Sequence, residues 1–166
     1  AAALRRVVNH VREKTVGAAR PAPDSPMPSF VGRTPNVFPK PVTPGNLAFS
    51  AFDAAYSMAP YAIGPDEALV VTGRWPECRF ANVCLWNRFS QMYDYVNRQV
   101  SRNRANTTLE ADGSFRMILA HEDPGLPNWI DTEGRRSGTV FWRYFLPVGD
   151  IETPQATVVK FADLKK

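Results

Sequence analysis

One run of eight residues, Thr139-Val140-Phe141-Trp142-Arg143-Tyr144-Phe145-Leu146, is apolar on both faces of an extended chain apart from Arg143. A strand of that kind must be covered on both sides, so it belongs in the centre of a layered β fold. Other runs support the same reading. Residues 67–75 and 79–86 alternate with period two on either side of Pro76-Glu77, which predicts a hairpin with Phe80, Asn82, Cys84 and Trp86 on one face. Residues 115–121 follow the Asp112-Gly113 turn as a third strand. Residues 139–146 are the fourth, and 156–161 the fifth, with Val158 and Val159 interior. Several strands with short connections point to a mainly β, antiparallel sandwich or barrel. Residues 90–104 are polar and irregular, a short helix or an ordered excursion.

The amino-terminal third has a different grammar. Leu4, Val7, Val8 and Val11 recur at helical spacing among Arg5, Arg6, Arg12 and Lys14, which predicts a basic helix over 4–16 that needs a surface to lie on. Eight prolines then fall in residues 20–45: Pro21, Pro23, Pro26, Pro28, Pro35, Pro39, Pro41 and Pro44. That density forbids helix and central strand and favours extended geometry. Met27, Phe30, Val31, Val37 and Phe38 punctuate the prolines, so the segment reads as an arm that packs along a neighbour. A second helix is expected over 46–58, from Leu47, Phe49, Phe52, Ala55, Tyr56 and Met58, and stopped by Pro60. The division is therefore a basic helix in 1–19, a Pro-rich arm in 20–45 and a β-sandwich with a short preceding helix in 46–166.

At 166 residues and 44% hydrophobic, the chain can bury the core of one domain without staples. Its net charge of +4 is spread along the sequence, and the densest run, 98–104, has three arginines and reads as a solvated turn; no nucleic-acid partner is implied. No 18-residue apolar run could span a membrane. Ala1-Ala2-Ala3-Leu4 is too short an apolar stretch for a secretory signal. The start at Ala1 fits a processed product or the carboxyl-terminal part of a longer protein. Cys78 and Cys84, six residues apart, match neither a zinc knuckle nor a redox pair and read as free thiols, which favours a cytoplasmic location.

Residues 121–136 gather most of the groups that could do chemistry. Pro124-Gly125 and Glu133-Gly134 are turn signals, and Asn128-Trp129-Ile130-Asp131 sets a large ring between short polar groups. His121, Asp131 and Glu133 are the candidate acids and bases. Trp129, Arg136 and Asn128 are the candidate ligand contacts, with Arg136 able to fix an anion if the nearby carboxylates leave it free. Metal binding is not expected: His121 and Asp123 would share a strand face while Glu122 points away, and two ligands do not close a site. Nor is a cofactor called for. Gly32, Gly45 and Gly64 are isolated, so no phosphate-cradling loop exists, and no nucleophile motif is present.

Several stretches resemble the domain-of-unknown-function 1214 family across residues 61–147. They are Gly64-Pro65-Asp66-Glu67-Ala68-Leu69-Val70, residues 79–88, Asp94-Tyr95 with Asn97-Arg98, and above all residues 123–134 followed by Trp142-Arg143. The resemblance implies a jelly-roll β-sandwich forming the carboxyl-terminal part of a longer bacterial protein. It also implies a shared structural or binding role for Asp123, Pro124, Gly125, Pro127, Asn128, Trp129, Asp131, Thr132, Gly134 and Arg143. No activity transfers with it. The expected function is a non-catalytic module that binds a protein partner or sibling domain, or a small apolar or carbohydrate-like ligand, as part of an oligomer or larger assembly. The alternative is a hydrolase or lyase acting on a carbohydrate- or lipid-like substrate at residues 121–136.

Overall fold

The strand expected at the centre is there. In the computed structural model, which describes residues 2–15, 27–45 and 51–165, β7 (Ser137–Phe145) lies between β1 (Ala54–Ala62) and β3 (Phe80–Trp86), and β4 (Ser101–Asn103) completes a four-stranded sheet. A second four-stranded sheet has the order β6 (Trp129–Asp131), β5 (Phe115–Ala120), β2 (Glu67–Gly73), β8 (Gln155–Lys160). The two pack as a sandwich and neither closes into a barrel. Pairings between the named strands are antiparallel except β5 with β6, which is parallel.

Period two decides which side chains enter the core. Ala55, Ala59 and Tyr61 of β1, Ala81, Val83 and Leu85 of β3, and Val140, Trp142 and Tyr144 of β7 point inward from the first sheet. They meet Leu69, Val71, Phe115, Met117, Leu119 and Ile130 from the second. Trp142, fully buried, stacks on Phe115 at 5.7 Å and receives the edge of Phe38 at 6.0 Å. Phe38 belongs to the Pro-rich arm. Within that arm Gly32 N–H donates to Met58 O (2.6 Å), Asn36 N–H to Pro60 O (2.9 Å), and Val42 exchanges two 3.0 Å bonds with Tyr56. The described part of the arm thus lies along β1. Pro60 is tolerated inside β1 because the N–H it lacks would face the arm and not β7.

Three sequence expectations need correction. The predicted hairpin does not form: β2 pairs with β5 and β8, β3 with β4 and β7, and the chain crosses between sheets through residues 74–79. Phe80, Asn82, Cys84 and Trp86 do share a face, but it is the outer face, while Ala81, Val83 and Leu85 fill the core. The helix expected over 46–58 gives way to strand from Ala54 onward, because Ala55, Ser57 and Ala59 pack inward at period two; residues 46–50 lie outside the described set. Val158 is exposed and Val159 half-buried, since β8 borders its sheet. Residues 90–104, read as a short helix or an ordered excursion, contain strand β4 and a 3-10 turn over Arg104–Asn106.

Helix α1 (Ala2–Thr15) forms where the apolar spacing predicts it, yet Leu4, Val7, Val8 and Val11 are 71%, 60%, 44% and 51% exposed. Its apolar stripe is open. Both cysteines are free, and burial pushes the Cys84 thiol up to about 11. At pH 8 Cys84 is therefore expected to react with iodoacetamide far more slowly than half-buried Cys78, as peptide mass mapping of a time course would show. Equal rates would contradict this placement.

Candidate functional site

The corner at 121–136 is built from hydrogen bonds that leave its reactive groups little freedom. At the end of β5, His121 holds Thr132 Oγ1 through Nδ1 (2.7 Å) and Gly64 O through Nε2 (3.0 Å). A carbonyl only accepts, so Nε2 carries the proton and Nδ1 accepts from the threonine hydroxyl in the neutral ring. Thr132 is fully buried. Asp131, also buried, accepts Glu133 N–H on Oδ1 (2.7 Å) and Arg98 Nη1 on Oδ2 (2.8 Å). Glu133 accepts Asp94 N–H (2.5 Å) and Arg135 Nε (3.1 Å). The two carboxylates of the corner thus pair with different arginines. Arg135 takes Glu133, but Asp131 is claimed by Arg98 from outside it.

Asn128 has a positive φ of 59° and is buried. Its amide donates to Thr108 O (2.7 Å) and Arg116 O (3.0 Å), and its carbonyl accepts Thr108 N–H (2.8 Å). All its capacity goes to backbone, so it clamps the corner to the neighbouring segments. Asp123 Oδ1 accepts Gly125 N–H (2.8 Å), Pro124 is buried, and Gly125 and Gly134 take the left-handed conformation that glycine favours. Pro127 is exposed. The Trp129 indole donates to Ala120 O (3.2 Å), and its ring packs with Leu126, Val159 and Phe161 on Ala68, Ile118, Ala120 and Leu164. This ring covers the outer face of the second sheet.

The hydrolase or lyase alternative would need His121, Asp131 and Arg136 on one cleft, and among the described residues they do not share one. His121 borders a cleft of about 390 Å³ lined by Pro65, Asp66, Glu67, Glu122, Lys160 and Phe161, where Lys160 pairs with both Asp66 (3.0 Å) and Glu67 (3.2 Å). Asp131 lines neither that cleft nor the next. Arg136 lines a different cleft, of about 580 Å³, with Arg88, Phe89, Arg135, Pro35 and Pro60. The arginines of 98–104 are also committed: Arg98 to Asp131, Arg102 to Trp129 O (3.0 Å), and Arg104 to Cys78 O (2.9 Å). Arg143 lies over the Phe141 ring at 5.4 Å on the outer face of the first sheet. Among the described residues no three His, Cys, Asp or Glu side chains converge as a metal site would require.

Sequence reasoning missed Arg88 and the Tyr61–Tyr93 pair. The two hydroxyls are 2.9 Å apart, and Tyr61 donates to Arg135 O (3.1 Å), which fixes the backbone that carries Arg135 and Arg136. Burial raises both tyrosines above their ordinary pKa, so they act as neutral hydrogen-bonding groups. The Asn87-Arg88 dipeptide preceding Phe89 and Ser90 was the available signal, since an asparagine there can close a turn on its own backbone.

Comparison with known proteins finds likeness in structure. An uncharacterised protein from Burkholderia cenocepacia superposes with a TM-score of 0.72 at 32% identity, over 78% of this chain and 36% of the other. A protein from Vibrio parahaemolyticus matches with a TM-score of 0.55 at 17% identity, over 70% of this chain and 33% of the other, and shows the shared fold alone. This chain therefore spans about a third of the length of the solved chains it matches. No family model matches it. Neither does any curated protein.

Proposed function

We propose that this chain is a non-catalytic β-sandwich module within a longer bacterial protein of the kind its resemblance to the domain-of-unknown-function 1214 family describes, and that α1 docks it on a sibling domain. One observation carries the reading: the proton-transfer atoms of His121, Asp131 and Glu133 are all engaged in holding the corner together. A general base needs a lone pair directed at substrate, and these have theirs directed at the fold. The exposed side chains of Leu4, Val7 and Val8 supply the docking surface, because a 14-residue helix with that pattern is marginal until its apolar face is buried. Coverage of about a third of the two longer solved chains makes a sibling domain the natural occupant. In this reading α1 attaches the module, the described arm residues 27–45 lie along the sandwich, and residues 51–165 form it. Two free cysteines accord with a cytoplasmic setting.

Hydrogen exchange on this chain and on a longer natural form containing it is the test. The α1 amides are expected to gain at least tenfold protection in the longer form, and L4E/V8E to abolish the gain; equal protection in both forms would end the docking proposal. The non-catalytic part is tested separately with 4-nitrophenyl acetate and 4-nitrophenyl glycosides. Turnover above the uncatalysed rate that disappears in H121A or E133Q would overturn it.

A further inference from the structure

The cleft bordered by Arg136 differs in charge from the one bordered by His121. In the latter the cation, Lys160, is neutralised by two carboxylates. The Arg136 cleft is lined by Arg88, Arg135 and Arg136 and, among the described residues, by no Asp or Glu. Arg135 is answered by Glu133 and lies over the Tyr93 ring at 5.1 Å. Arg88 and Arg136 have no ion-pair partner among the described residues; Arg88 lies 5.0 Å over the exposed Phe89 ring. Two unanswered guanidiniums lining one concave space supply the charge and the N–H donors that an oxyanion receptor needs.

Both arginines stand on braced backbone. Asn87 Oδ1 accepts Phe89 N–H (2.9 Å) and Gln91 N–H (3.1 Å), and Asn87 N–H donates to Gln91 O (2.8 Å), so the loop carrying Arg88 is closed on itself. Arg136 O accepts Ile63 N–H (3.0 Å), one residue past the carbonyl held by Tyr61. A smaller cleft of about 200 Å³ adjoins it. Pro60 and Thr139 line both, and Val31, Gly32, Met58 and Trp86 line the extension. A cleft lined by arginines therefore stands beside one that presents the side chains of Val31, Met58 and Trp86.

We propose that this composite cleft binds an amphipathic organic oxyanion, a carboxylate or phosphate monoester held by Arg88 and Arg136 with its apolar tail laid toward Met58 and Trp86. The site is independent of whether α1 docks the module on a sibling domain.

Hexanoate, hexyl phosphate, acetate and hexanol are titrated into the 166-residue chain while the arginine Nε–H resonances are followed by NMR. Hexanoate or hexyl phosphate is expected to shift the Arg88 and Arg136 signals saturably, and whichever binds more tightly identifies the headgroup. Acetate should bind at least tenfold more weakly, because each buried methylene contributes up to about 0.8 kcal/mol. Hexanol should not saturate. R88Q/R136Q keeps both stems on exposed positions and should weaken binding at least tenfold with an unchanged melting temperature. The assignment falls if neither six-carbon anion gives a saturable shift, if acetate or hexanol matches hexanoate, or if the double variant binds like the parent. It falls too if hexanoate binds this chain but not a longer natural form, because the cleft is then filled by acidic groups of the same protein.

Discussion

Asn128→Ala is expected to destabilise the fold by about 3 to 4 kcal/mol and to lower the melting temperature by roughly 10 °C. Three backbone groups lose their partner at once: Thr108 N–H, Thr108 O and Arg116 O. Water does not readily replace a side chain that is itself buried, so each abandoned group costs on the order of 1 kcal/mol. The left-handed backbone at φ 59° adds roughly 1 kcal/mol, since alanine lacks the short polar side chain that makes this conformation tolerable. Asn128→Gly separates the contributions, because it removes the strain and keeps the lost bonds. Urea unfolding should place the glycine variant about 1 kcal/mol above the alanine variant and well below the parent. If both variants unfold with the parent, the clamp is not a clamp.

Gly138→Ala is the second large effect, a loss of about 3 kcal/mol or more. Gly138 lies on β7 opposite Tyr61, at the point where two tyrosines and a carbonyl converge. A methyl group there would collide with the Tyr93 hydroxyl and come within 2.8 Å of both Trp86 O and Tyr61 Cε1. The tyrosines could rotate only by giving up their mutual bond. The Trp86 carbonyl belongs to the β3–β7 ladder and cannot retreat without loosening it. Circular dichroism should show a lowered melting temperature, and the Arg88 and Arg136 resonances should move even without ligand, because Gly138 lines the same cleft. An unchanged melting temperature would mean that the contact is relieved at little cost.

How far the fold was readable follows from how local each determinant is. Strand β7 was legible because a run apolar on both faces has few places to go. Strand β5 was legible because the Asp112-Gly113 turn marks its start. The false hairpin arose because period two reports that a segment is a strand and says nothing about its partner. That choice is made by β7 and β5, which arrive from later in sequence and pair with β3 and β2. Strand β1 was hidden by its inner face of Ala55, Ser57 and Ala59, small residues that leave room for Phe38 and Trp142 and give no apolar alternation to detect. At the corner, turn chemistry correctly announced an ordered structure. The destination of each charge was not local: Arg98 reaches Asp131 across 33 positions, and no carboxylate among the described residues pairs with Arg136. The Arg88 cleft was invisible for the same reason, since its walls come from the arm, β1, β7 and a loop.

The arm laid on β1 does more than add contacts. Without it, the N–H and C=O groups of Tyr56 and Met58 would form an unpaired ribbon on a nine-residue strand, a template on which the β-strand of any other chain could assemble. The remaining borders, β4 and β6, are only three residues long, and β8 carries the paired Lys160. The prolines of the arm suit a strip that pairs inward and has little to offer outward, since they lack N–H groups to extend the ladder. The Pro-rich stretch is thus a selvedge: it finishes the sheet and keeps the sandwich from being woven into its neighbours.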